Sequence, residues 1–153
     1  MTICVKDRIC CLGEVIGNQV KLPPLGEIVK GCLEDIPKHF LDVELDEYVI
    51  MPNHVHLILF INHRNDVETQ NFASLQAMNK FGPQSRNLGS IIRGFKAGVK
   101  KSATLNNIPF FWQSRFYDHV IRNEKSLETI RRYVQDNPFN WERDCNNVEN
   151  LYI

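Results

Sequence analysis

Tyr48-Val49-Ile50-Met51-Pro52-Asn53-His54-Val55-His56-Leu57-Ile58-Leu59-Phe60-Ile61 reads as two strands joined by a tight connection at Pro52-Asn53. The first strand reaches back through Leu45 to Val43, and the second is rich in β-branched and aliphatic residues. Upstream, Thr2 to Val5 is a short apolar strand, and Ile9–Ile16 and Gln19–Leu22 flank Gly17-Asn18, a two-residue hairpin signal. Leu25, Ile28, Val29, Cys32, Leu33 and Ile36 then recur at helical spacing until Pro37. Downstream, the polar stretch Asn62–Asn87 contains Gly82-Pro83 and exceeds the length of most ordered loops, which predicts a mobile segment. Ser90 is the expected N-cap of a helix with Ile91, Ile92, Phe95, Val99 and Ala103 on one face. Phe116–Ile121 reads as a last strand, and Asn123-Glu124-Lys125-Ser126 opens a final helix that Asn137-Pro138 closes. Strands interrupted by helices in this order imply an α+β, ferredoxin-like sandwich: an antiparallel β-sheet with helices packed on it.

The 153 residues fall within the size of one domain, expected to span 1–153. With 43% hydrophobic and 24% charged residues the chain has the composition of a soluble globular protein, not a disordered one. It has no apolar run of about 18 residues and no signal-peptide pattern at Met1-Thr2-Ile3-Cys4-Val5, so a cytoplasmic protein without a membrane partner is expected. Five cysteines (Cys4, Cys10, Cys11, Cys32, Cys145) without Cys-x-x-Cys spacing argue against a disulfide framework and a zinc knuckle.

Eighteen basic and eighteen acidic residues give no net charge, but the average hides a division. Thr69 to Tyr117 contains no Asp or Glu. Arg93, Lys96, Lys100, Lys101 and Arg115 lie there, with Arg122 just beyond, and these are the cations expected to meet a phosphate backbone. Chance clustering on a solvated face is the competing explanation.

Residues two apart on a strand share a face, so His54 and His56 present two imidazoles together and Val55 faces inward. The spacing alone does not separate a chelating pair from ordinary surface histidines. On the last helix Leu127, Ile130 and Val134 form an apolar stripe, and Tyr133 and Asn137, at i and i+4, stand at its edge. Tyr133 and Asn137 also fit a half-buried packing tyrosine and a plain helix end. Combined, the two sites suggest a mechanism. A divalent cation held by two imidazoles and an amide oxygen keeps open positions for a phosphodiester, and the Tyr133 phenolate attacks phosphorus to give a phosphotyrosine link and a free hydroxyl end. The reverse attack rejoins the strand without a nucleotide cofactor, and the chain has no phosphate-cradling Gly-x-x-x-x-Gly-Lys loop. Tyr117 and Tyr48 are rival nucleophiles on predicted strands, and His119 and His63 are rival ligands. Trp112 and Phe116, beside Arg115, suit either base stacking or the core.

Four blocks in order carry a resemblance over nearly the whole chain: Glu44 through His54-Val55-His56, Leu88-Gly89-Ser90 through Lys96, Phe111-Trp112-Gln113 with Tyr117 through Glu124, and Tyr133 through Asn137-Pro138. In these the chain resembles the HUH single-tyrosine transposases of small insertion sequences and their REP-associated relatives. The resemblance implies His54 and His56 as metal ligands, Tyr133 as the nucleophile and Asn137 at the third ligand position, where some relatives carry Gln. It also implies Mg²⁺ or Mn²⁺ as the metal and single-stranded DNA, often with a hairpin beside the cleavage site, as the partner. A homodimer occurs among such proteins, as do monomers. Relatives often carry about twenty residues before the equivalent of Thr2-Ile3-Cys4, so a chain truncated at its N-terminus is expected. Two other functions compete: a decayed or domesticated copy that only binds nucleic acid, and a replication or mobilisation nickase of related chemistry.

Overall fold

A computed structural model describes residues 1–62, 87–148 and 150. Its central sheet has three antiparallel strands in the order β1 (Thr2–Cys4), β5 (His54–Ile61), β4 (Val43–Ile50). The quoted stretch is therefore the β4–β5 hairpin, turning at Met51-Pro52-Asn53, and the middle strand carries both histidines. A separate hairpin, β2 (Glu14–Ile16) and β3 (Gln19–Lys21), turns at Gly17, whose φ of 63° suits a residue without a side chain. This is the expected α+β sandwich. No helix among the described residues is long and apolar enough to cross a membrane.

The period of two along β5 divides the molecule into layers. Val55 and Leu57 point into the main core, against Val29 and Leu33 of α1 (Pro24–Glu34) and Ile91, Ile92, Phe95 and Val99 of α3 (Leu88–Leu105). His54, His56 and Ile58 face the other way. There Ile58 meets Leu127 and Val134 of α4 (Glu124–Gln135), with Val49, Ile121 and Ile130 around them. The stripe read from the sequence thus seats the tyrosine helix on the histidine face.

A β-bulge fixes how α4 lies. Between the pairs Leu45↔Leu59 and Tyr48↔Leu57, β4 advances three residues while β5 advances two. The extra residue lets both Asp46 and Glu47 serve α4. Asp46 takes a two-pronged bond from Arg131, at 2.8 Å on each oxygen, and Glu47 accepts from Gln135 Nε2 at 2.9 Å. Tyr133 sits between these two anchors in sequence.

Several boundaries differ from the sequence reading. The first helix ends at Glu34 and a short helix α2 (Ile36–His39) restarts with Pro37 in its first turn, where a missing N–H costs nothing. Asn87, not Ser90, caps α3: its Oδ1 accepts the Ser90 N–H at 2.9 Å, so the helix starts earlier and runs through Gly89. The predicted strand Phe116–Ile121 does not form. The stretch leading into it meets the N-terminal strand region at two isolated bridges, Val5↔Trp112 and Thr2↔Tyr117, and the five residues spanned on one side against three on the other throw the ladder out of register. The mobile segment expected over Asn62–Asn87, and with it His63, lies outside the described residues from 63 to 86.

Candidate active site

His54 and His56 are buried, 0% and 5% exposed, and are not the surface pair their spacing allowed. Their Nε2 atoms face each other at 3.0 Å. Each Nδ1 has its own partner: Asn53 Oδ1 at 2.8 Å for His54, and Thr2 Oγ1 at 2.8 Å for His56. The Asn53 amide has no freedom to flip, because its Nδ2 donates to the carbonyls of Arg8 at 3.1 Å and Asn146 at 2.8 Å. Its Oδ1 therefore accepts a hydrogen bond from His54 Nδ1–H, which leaves the Nε2 lone pair aimed at the site. Burial pushes both imidazoles well below the usual histidine range, His56 to about 4, so both are neutral bases at pH 7.

Tyr133 stands over this pair. Its hydroxyl is 3.4 Å from His56 Nε2, its ring meets the His56 ring edge to face, and the side chain is half exposed, at 51%, so a substrate can reach it. Burial of the hydroxyl and the nearby Asp144 carboxylate raise its pKa, while a hydrogen bond from the Asn137 side chain favours the phenolate. Asn137 is 2% exposed, and its Oδ1 is buried without a hydrogen-bond partner. An orphaned buried acceptor costs roughly 1–3 kcal/mol, a cost that a bound cation would remove. The imidazole pair fits one too. An octahedron with bonds of about 2.1 Å separates adjacent ligand atoms by about 3.0 Å, the spacing of the two Nε2 atoms.

The segment after α4 adds what the sequence did not reveal. Through the turn Trp141–Arg143 it returns across the histidines, with the Trp141 ring 6.1 Å from His54. It also brings Asp144 beside them. His54, His56 and Asp144 each offer a ligand atom within 4.8 Å of the others. Nothing in the spacing of Asp144 signalled this, since only the folded C-terminal segment places it there.

The remaining candidates separate. Tyr48 donates to Glu34 at 2.8 Å, and its pKa is pushed up to about 12, chiefly by burial. Tyr117 is exposed and bridges Thr2, one strand beyond His56, and His119 is exposed as well. Trp112 packs between Phe95 and Phe110 and Phe116 lies against the same core, which answers the choice between stacking platform and core. The α3 cations lie across the sheet from Tyr133. Lys96 donates to the carbonyls of Gln113 and Arg115, and Lys100 donates to the Phe110 carbonyl with its ammonium 3.8 Å above the Phe111 ring. These two amines fasten the 110–115 segment. Arg93, Lys101 and Arg115 are exposed, as is Arg122, which lines a cleft of about 510 Å³ with Phe60, Ile61 and Asn123.

Asn53→Ala is expected to weaken Mn²⁺ binding about 10–100-fold by freeing the His54 ring to turn. Calorimetric titration of Mn²⁺ into the two proteins checks this. Unchanged affinity would remove Asn53 from its orienting role.

No family model matches the chain. A protein of Haemophilus influenzae (strain ATCC 51907 / DSM 11121 / KW20 / Rd), described only as uncharacterized, is 44% identical over 148 aligned residues, covering 94% of this chain and 81% of that protein. A solved structure described as a REP-associated tyrosine transposase bound to a REP hairpin matches with a TM-score of 0.60 at 18% identity. The match covers 92% of this chain and spans 65% of the length of that one. At that identity the likeness is one of fold.

Proposed function

We propose that this chain, which belongs to the same family as the uncharacterized Haemophilus influenzae protein, is a metal-dependent transposase that nicks and rejoins single-stranded DNA through Tyr133. The observation that carries this reading is the half-exposed Tyr133, its hydroxyl 3.4 Å from one of two buried imidazole nitrogens that face each other at 3.0 Å, together with the buried, unpartnered Asn137 Oδ1. The fold shared with a tyrosine transposase supports it. His54 Nε2, His56 Nε2 and Asn137 Oδ1 would hold the cation, Mg²⁺ or Mn²⁺. Bound there, it would offset charge developing on the phosphodiester oxygens.

The chain's own groups do the rest. Tyr133 Oη forms a bond to phosphorus as the bond from phosphorus to the leaving sugar oxygen breaks. The phenolic proton is lost, and the leaving oxygen ends as a free hydroxyl. Asn137 holds Oη and favours its ionised form, and the Asp46 and Glu47 anchors keep α4 in place while the ester exists. Because the product is itself a phosphoester, a hydroxyl end attacking it restores the strand and the tyrosine. Arg115 and Arg122, with Arg93, Lys96, Lys100 and Lys101 of α3 on the other face of the sheet, are the cations proposed to neutralise backbone phosphates. The fold neighbour is bound to a REP hairpin, so the substrate we favour is a single strand carrying a hairpin.

The test is incubation with labelled single-stranded, hairpin-bearing DNA and Mn²⁺, followed by denaturing electrophoresis. A protein–DNA band that survives denaturation and disappears on protease treatment is expected. Salt-sensitive binding with no such band under any divalent metal would leave a nucleic-acid-binding protein and end the enzymatic reading.

A further inference from the structure

We propose that Asp144 is an anionic ligand of the same cation, so that the segment following α4 forms a latch which the metal closes. The inference rests on the metal site of the preceding section and extends it to a residue seven positions beyond Asn137 in the segment that follows α4.

Three observations converge. Asp144 is buried at 8% exposure, and its carboxylate offers a ligand atom within 4.8 Å of those of His54 and His56. Two imidazole nitrogens and a carboxylate oxygen brought this close form a donor set that suits a divalent ion. Among the described residues, the hydrogen bonds the carboxylate accepts, from Asn146 N at 2.6 Å and Asn146 Nδ2 at 3.0 Å, both fall on Oδ1. They aim the group and leave Oδ2 for the ion. Thirdly, the turn is held to the sheet from two sides, by Asn53 on the Asn146 carbonyl and by Arg8 on the Cys145 carbonyl and Asn146 Oδ1 at 3.1 Å each. Asn53 thus orients His54 and seats the turn bearing Asp144, which joins two ligands through one amide.

Two imidazoles, an amide oxygen and a carboxylate leave two positions on a six-coordinate ion, enough for a phosphodiester. Asp144 lowers the charge the site presents and increases how firmly the ion is retained.

Calorimetric titration of Mn²⁺ into the full chain, without DNA, tests this. Asp144→Asn keeps the shape and the Asn146 bonds but removes the charge, and is expected to weaken Mn²⁺ binding at least about tenfold. Mn²⁺ is also expected to slow amide exchange at Asn146 and Asn147 in the parent protein and not in Asp144→Asn. Equal affinity and equal protection in the two proteins overturn the assignment of Asp144 while leaving the histidine site standing. Failure of the parent to bind Mn²⁺ sinks both. Should Asp144→Asn melt lower without metal, a Mn²⁺-soaked crystal of the parent decides: an Asp144 oxygen about 2 Å from the ion supports the latch, and one beyond hydrogen-bonding distance refutes it.

Discussion

Tyr133→Phe is expected to lose covalent adduct formation by at least about a thousandfold while still binding DNA and Mn²⁺. The substitution removes one oxygen from a half-exposed ring, so the ring contact with His56 and the seating of α4 on Ile58 survive. The oxygen it removes is the only atom that forms the bond to phosphorus in the proposed reaction. Because Tyr48 is tied to Glu34 on the far face of the sheet and Tyr117 stands a strand away, neither can substitute without rebuilding the site. Electrophoresis of DNA incubated with each protein, alongside Tyr117→Phe, measures the difference. An undiminished adduct from Tyr133→Phe would assign the nucleophile elsewhere.

His54→Ala or His56→Ala is expected to weaken Mn²⁺ binding by more than the roughly 10–100-fold that follows loss of an outer partner, and to remove the adduct with it. Each substitution deletes one of the two nitrogens that face each other at 3.0 Å. It also strands a buried acceptor or hydroxyl, Asn53 Oδ1 or Thr2 Oγ1, at a cost of about 1–3 kcal/mol in stability. Melting temperatures without metal separate that cost from the loss of the ion. Parent-like Mn²⁺ affinity in both variants would show that the imidazoles do not hold the cation.

The legible parts of this site were those governed by local period. Alternation put His54 and His56 on one face, and helical spacing gave the Leu127, Ile130, Val134 stripe that seats α4; both form, although α4 ends at Gln135 and Asn137 is buried in the turn beyond it. What required the fold was whatever depended on contacts distant in sequence. Burial of the histidines follows from the returning segment at Trp141 and Asp144, and neither neighbours them in the chain. The orienting roles of Asn53 and Thr2 arise from the Arg8 turn and from β1 pairing beside β5. In the acid-free stretch Lys96 and Lys100 donate to carbonyls of the 110–115 segment, a pairing that composition does not reveal. Phe116–Ile121 had the apolar pattern of a strand but found too little partner in register.

The bulge between Leu45 and Tyr48 acts as an index mark. A helix turns by about 100° per residue, so an anchor displaced by one position on α4 would swing the Tyr133 hydroxyl more than a quarter-turn from His56. The rotational phase of the reacting helix is therefore written in an irregularity of the sheet. Side chains on the solvent face of α4, away from the Leu127, Ile130, Val134 stripe, are free to vary without changing the distance from Tyr133 to His56.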